Sequence, residues 1–385
     1  MIYLDNNATT RPLPAVVAAM HEALTQSWGN PSSKHAAGEQ ARRRVSEARA
    51  AVARLLGAQP AELVFTASAT EANAMALHAA LALHAALAVP GAPRRVVLSA
   101  IEHSGLVQVA GALAGQGVEI LRLPVDERGV VLTEALPALL EGGAALVSVM
   151  AANNETGVIQ PVAEVLRLAS AAGVPVHVDA TQAAGRIPVD FAGLGARFLT
   201  ASAHKLHGPK GVGVLAVKKG APFESLLPGY QERKRRGGTE NVPGVVGFGV
   251  AARHAESALT EAPRVAALRD ALEAGLGEAL PGVRVFGAGA PRLPNTACMA
   301  FGLLDAEVVL QRLARAGICV SSGSACSSGG TEPSPVLLAM GADVPAARAA
   351  VRFSLSAETT PAEIARVIET LQAALTPLLA EASSA

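Results

Sequence analysis

Aromatic side chains are scarce in this chain. Only 3% of its 385 residues are Phe, Tyr or Trp, with a single Trp, so the interior must be filled mainly by Ala, Val and Leu packed in helices and strands. Cysteine is rarer still, at three residues. Three cannot build a disulfide framework, and an odd count leaves at least one thiol free, which suits a reducing compartment and makes the cytoplasm the expected location. Net charge is missing altogether, because 32 basic and 32 acidic residues cancel. No global basic field is left to hold nucleic-acid phosphates or anionic lipid. The uncharged run between Glu71 and Arg94 is the longest. It is Ala-rich, carries Asn73, His78 and His84, and ends in Pro90-Gly91, which reads as a buried helix and a turn rather than a membrane span. The opening Met1-Ile2-Tyr3-Leu4-Asp5-Asn6-Asn7 places an acid and two amides where a secretion signal carries basic and then apolar residues.

What is present is apolar and regular. Half the residues are hydrophobic and 17% are charged, which excludes disorder, and the length suits two domains or one large α/β unit. Short β-branched runs alternate with stretches of helical period, the pattern of βαβ units on a parallel sheet. The expected strands are Glu62–Thr66, Arg95–Ser99, Glu119–Leu123, Ala145–Met150, Val176–Asp179, Arg197–Thr200 and Val212–Val217. Helices are expected at Ala72–Val89, Ser104–Gly115, Thr133–Glu141 and Pro161–Ala172. From about residue 261 the texture changes to a long helix, Val265–Ala279, then strands Val283–Phe286, Thr296–Phe301 and Ile318–Ser321, a Ser/Gly-rich loop at 322–332, and further helices. The division is a large domain over 15–260 and a smaller α+β domain made of 1–14 and 261–385.

Open parallel sheets bind ligands beyond the carboxyl ends of their strands. Ala67-Ser68-Ala69-Thr70 follows one strand and opens a helix, which makes either a phosphate site or an ordinary N-cap. Asp179 closes another strand; it is either a cap or ion-pair partner, or the counter-charge of a protonated ring nitrogen. Lys205 stands between His204 and a Gly-Pro turn after the next strand. It is either a solvated cation or, if desolvated, a nucleophile toward carbonyl groups. Lys210, Arg233, Arg235 and Arg236 read as solvated cations. Cys298 and Cys319 lie in apolar strand patterns and read as buried structural thiols. No metal-ligand spacing of Cys or His is present.

Taken together, ASATEAN, IEHS, NNETG, VDATQ, ASAHKLHGPKG, RRGGTEN, SSGSACSSGG and VRFSL carry a resemblance. The chain resembles the cysteine desulfurases, pyridoxal 5'-phosphate (PLP) enzymes of the class-V aminotransferase family, from YLDNNATT at its start to VRFSL near residue 352. The resemblance implies the PLP-dependent transferase fold of type I, α/β with a mainly parallel seven-stranded sheet in its large domain. It implies that Lys205 holds PLP as a Schiff base, Asp179 pairs with the ring nitrogen, Gln182 and Asn154 contact the ring and its phenolic oxygen, and His103 stacks on the ring. Ala69, Thr70, Ser202 and His204 would hold the phosphate, with Thr239 entering from the second subunit of a homodimer. Arg352, with Asn154, would grip the α-carboxylate of L-cysteine. Cys326, in the Ser/Gly loop, would be the nucleophile that takes sulfur as a persulfide, with His103 or another nearby base accepting a proton, and would pass it to acceptor proteins such as an iron–sulfur scaffold. The loop resembles that of the group serving nitrogenase and general iron–sulfur assembly. One departure is Gly105, where the family leads one to expect Ala; a looser helix start beside His103 is the expected consequence.

Overall fold

The computed structural model describes residues 1–87, 94–323 and 332–382. Strands are numbered along the chain: β1 (Ile2–Tyr3), β2 (Leu63–Thr66), β3 (Arg95–Ser99), β4 (Glu119–Leu123), β5 (Leu146–Met150), β6 (Val176–Asp179), β7 (Phe198–Ser202), β8 (Gly213–Val217), β9 (Val283–Phe286), β10 (Thr296–Phe301), β11 (Ile318–Cys319), β12 (Ser321–Ser322) and β13 (Val351–Ser354). The main sheet has seven strands in the order β2-β8-β7-β6-β5-β3-β4. Only β8 runs against its neighbours, and the β7-β6-β5-β3-β4 ladders are parallel. The six strands other than β8 therefore end at one edge.

Alternation along each strand sends side chains to opposite faces. Val96 and Leu98 join one core with the helix Ala69–Leu87, while Val97, Val147 and Val149 join a second core under Ala36–Leu55 and Val242–Ala258. Strands covered on both sides become continuous apolar runs, as in Leu-Val-Ser-Val-Met and Gly-Val-Leu-Ala-Val of β5 and β8. Few aromatics are needed because the helices come very close. A Cβ on Gly249 would stand 2.5 Å from the Ala48 Cα, so the glycine is what lets Val242–Ala258 lie against Ala36–Leu55.

A separate antiparallel sheet, β12-β13-β10-β9, carries its own core of Leu272, Leu276, Phe301, Phe353 and Leu371 under the helices Ala262–Ala279 and Pro361–Ala382. The chain start joins this layer, since β1 pairs in parallel with β11. Two expectations need correction. The single strand expected at Ile318–Ser321 is two short strands in different sheets, β11 against β1 and β12 against β13. The helix expected over Thr133–Glu141 is a 3-10 turn, Thr133–Ala135, followed by the single turn Leu136–Leu139, with Pro137 at its start and the left-handed glycines Gly142 and Gly143 beyond. Cys298 is buried as expected, whereas Cys319 is half-buried at the end of the two-residue edge strand β11. Among the described residues no helix is long and apolar enough to cross a membrane.

Candidate active site

The strand ends gather most of the residues singled out above. Asp179 is the last residue of β6 and pairs in register with Thr200 of neighbouring β7. Ser202 ends β7, and His204 and Lys205 lie in the 3-10 turn Ala203–Lys205 that follows it. Ala69 and Thr70 open the helix after β2, and His103 caps the helix Ser104–Ala114 after β3.

Asp179 is only 5% exposed. Its carboxylate accepts from the Asn73 amide at 2.8 Å and from the Thr181 N–H at 2.9 Å, both neutral donors. Beneath it, the buried His177 ring lies 2.8 Å from Ser148 Oγ and 3.0 Å from Thr200 Oγ1. Burial pulls its pKa down to about 4, so this ring is neutral at physiological pH and adds no charge under Asp179.

The N-terminal loop forms the wall opposite these residues. Lys205 Nζ donates to the carbonyls of Asn7 and Ala8, and Gln182 Nε2 donates to the same Asn7 carbonyl at 3.0 Å. The Asn7 amide in turn donates to the Asn154 carbonyl at 3.1 Å and to Thr296 Oγ1 at 2.9 Å. One buried asparagine thus ties together Lys205, Gln182 and Asn154, which lie far apart in sequence. The His204 ring sits 3.2 Å from Thr9 Oγ1, and burial together with the adjacent Lys205 lowers its pKa to about 4.

Arg352 stands in the centre of β13, 1% exposed. Its Nη1 donates to the Asn154 carbonyl at 3.1 Å, and its Nη2 to Asp5 Oδ1 at 2.9 Å. Nε is buried without a partner. Two buried glutamates flank the same region. Glu102 accepts at one oxygen from Ser99 Oγ and the Met150 N–H, and Glu155 accepts from Ser334 Oγ. Burial raises each carboxyl to about 7.

Several expectations are revised here. The helix start beside Gly105 is not loose, because the Gly105 N–H donates to His103 Nδ1 at 3.0 Å. A Cβ at Gly105 would stand 2.9 Å from Thr70 Oγ1, so the missing side chain is the space that Thr70 occupies. Arg235 and Arg236 are not free solvated cations. Arg236 Nε pairs with Glu71 at 2.8 Å, and Arg235 donates to the backbone carbonyls of Ala61 and Leu63. They are half-buried where Arg233 and Lys210 are exposed. Thr239 is exposed and lines a separate pocket with Thr66 and Ala67. Cys326 lies outside the described residues.

The profile of the class-V aminotransferases matches residues 2–367. This chain belongs to that family. A cysteine desulfurase of Cereibacter sphaeroides is 46% identical over 96% of this chain and 94% of its own length, and the cysteine desulfurase NifS of Azotobacter vinelandii is 44% identical over 95% and 90%. Among solved structures, a NifS-like protein superposes with a TM-score of 0.89 at 36% identity, covering 97% of this chain and 99% of its own. A protein named SspA, solved in complex with cysteine, superposes with a TM-score of 0.80 at 27% identity, covering 94% of this chain and 100% of its own. The fold is therefore the type-I PLP fold expected from the sequence, and the family's cofactor is PLP.

The residues fit that cofactor. Among the described residues the hydrogen bonds to Asp179 come from neutral donors, and a protonated pyridine nitrogen would give this buried carboxylate a cationic partner. The buried Thr181 Oγ1 and Asn73 Oδ1 lack partners beside the same carboxylate. Asp5, Asn7, Asn73 and Glu155 lie in the segments that carry the resemblance, but the sequence alone assigns them no task. The usable signal was spacing for Asn73, one helical turn after Thr70, and none for the others.

Proposed function

We propose that this chain is a PLP-dependent cysteine desulfurase. It takes sulfur from L-cysteine, releases L-alanine, and passes the sulfur from a Cys326 persulfide to acceptor proteins such as an iron–sulfur scaffold. The supporting observation is that Asp179 ends β6 and Lys205 follows the neighbouring β7 at the same sheet edge. An amine to attach the cofactor and a carboxylate to keep its ring protonated are the two groups that PLP chemistry demands.

Bound PLP supplies an electron sink for the pair left behind when the substrate Cα loses its proton. Lys205 is the residue that attaches the cofactor and carries that proton. Asp179 holds a proton on the ring nitrogen, and the neutral His177 and His204 add no charge of their own beside it. Ala69, Thr70, Ser202 and His204 hold the phosphate, and Thr239 reaches the site of a second copy in a homodimer. Gln182 and Asn154 fix the ring, and His103 covers its face. Arg352, with Asn154, takes the substrate α-carboxylate by the two-pronged geometry a guanidinium provides. His103 Nδ1 accepts the Gly105 N–H, so its neutral ring carries the proton on Nε2. A proton taken from the Cys326 thiol lands on Nδ1 and displaces that backbone donor.

The sulfur step balances. The Cys326 thiolate forms an S–S bond as the substrate C–S bond breaks, the former Cβ takes up a proton, and L-alanine leaves a persulfide behind. The chemistry needs a reduced Cys326, and a reducing compartment that keeps this thiol, Cys298 and Cys319 reduced supports a cytoplasmic location. The test is L-alanine formation from L-cysteine by the holoenzyme with a reductant present. The parent should form it, and Cys326→Ala should not. Exchange of the amino group with a 2-oxo acid instead would identify an aminotransferase.

A further inference from the structure

We infer that Asp5 is a resident carboxylate of the Arg352 guanidinium, one that competes with the α-carboxylate of substrate and product and so sets the affinity for both. The inference rests on the reading of Arg352 as the substrate-carboxylate residue. A guanidinium that is 1% exposed needs an anion nearby, and among the described residues the ion pair it makes is with Asp5, at 2.9 Å.

The pairing is single-pronged. Nη1 is committed to the Asn154 carbonyl, Nη2 to one oxygen of Asp5, and Nε is buried with nothing to bond. The edge formed by Nε and Nη2 is the one a carboxylate grips with two parallel bonds. In this arrangement that edge is half used. An incoming α-carboxylate completes it at Nε but shares or takes the Nη2 donor from Asp5.

The Asp5 backbone cannot retreat to make room. Tyr3 Oη donates to the Asp5 carbonyl at 3.1 Å and to the Thr9 carbonyl at 2.7 Å, while Asn6 Nδ2 donates to the Ser354 carbonyl at 2.8 Å. The Ser354 N–H donates to the Leu4 carbonyl at 2.7 Å, and Asp5 bridges in parallel to Ser354. Only the Asp5 side chain, 20% exposed, is free to turn toward solvent. Asp5 either gives up its ion pair by turning away or stays and repels the second carboxylate, so in both cases it weakens carboxylate binding and favours release of L-alanine. It also keeps Arg352 paired between turnovers.

The experiment compares holoenzyme variants on ligands with and without a carboxylate. Asp5→Asn keeps the shape and removes the charge. The KM for L-cysteine and the Kd for L-alanine should fall about five- to tenfold, the order expected when one like charge is removed from a partly buried site, while kcat does not rise. Cysteamine, which has the thiol and amine but no carboxylate, should bind unchanged. Asp5→Glu should stay close to the parent, and Asp5→Ser should tighten L-alanine as Asp5→Asn does. Unchanged or weaker L-alanine binding in both neutral variants, or an equal shift for cysteamine, would overturn the inference. Arg352→Ala separates it from the reading it rests on. If that variant keeps the preference for L-cysteine over cysteamine, the substrate reading of Arg352 fails; if the preference is lost but Asp5→Asn does not tighten, only the role of Asp5 fails.

Discussion

The buried carboxyl of Glu102 makes stability depend on pH in a direction that can be worked out. Glu102 is 5% exposed, and one of its oxygens accepts from Ser99 Oγ at 2.6 Å and the Met150 N–H at 2.8 Å. The other oxygen is buried without a partner. Burial outweighs the two donors and raises the carboxyl from 4.5 to about 7. The folded state therefore holds its proton after the unfolded chain has lost it. The stability this preference contributes is fully present below about pH 4.5 and is lost as pH rises through about 7. The interval corresponds to about 3 kcal/mol at about 1.4 kcal/mol per pH unit. Glu102→Gln keeps the accepting oxygen and places a neutral amide where the protonated oxygen stands, so the loss at this site should vanish. At about 2.1 cal/mol/K of unfolding entropy per residue, the 385-residue chain has about 0.8 kcal/mol/K, which turns this energy into about 4 °C. The assay is thermal unfolding of holoenzyme at one scan rate, at about pH 5 and about pH 8, for parent and variant. Part of the loss has already occurred by about pH 5, which lies above the unfolded value, so the drop in Tm between the two pH values should be about 3 °C smaller in Glu102→Gln. Equal drops would refute the claim that this carboxyl is protonated in the folded enzyme.

Other perturbations have equally definite outcomes. Lys205→Ala should abolish L-alanine formation and remove the absorption of covalently held cofactor, read by spectroscopy after gel filtration. The turn Gln231–Lys234 holds Glu232, Arg233 and Lys234 at positive φ, a costly run for residues with side chains, and Arg49 anchors it by gripping both oxygens of the buried Glu232. Arg49→Ala, which strands that carboxylate, should destabilise the protein by about 3–5 kcal/mol in denaturant titration, far more than Arg54→Ala at the exposed Arg54–Glu256 pair. Gly105→Ala should push Thr70 out of its place and speed cofactor loss during dialysis, with apoenzyme Tm little changed.

Local signals located the sheet well. Arg95–Ser99, Glu119–Leu123, Val176–Asp179 and Thr296–Phe301 have the bounds read from the sequence, because each is a short run with apolar residues at continuous or alternating positions, set between polar or turn residues. The helix Val242–Ala258 was not legible. Its glycines at 244, 247 and 249 argue against a helix locally, and the close approach of Val212 to Gly244, Met20 to Gly247 and Ala48 to Gly249 accounts for them. The site divides in the same way. Asp179 and Lys205 were visible because strand ends of an open sheet are where ligand residues gather. The Asp5–Arg352 pair joins residues 347 positions apart, and the Asn7 hub reaches Lys205, Gln182 and Asn154 through a backbone carbonyl and one amide. Such contacts are made by the folded chain and leave no periodic trace.

The account is tested most directly by following the sulfur atom through one turnover. Holoenzyme mixed with one equivalent of L-cysteine and no reductant, then digested and mapped by mass spectrometry, should carry one extra sulfur on the Cys326 peptide and release one L-alanine. Sulfur on the Cys298 or Cys319 peptide, or L-alanine with no sulfur left on the protein, would contradict it.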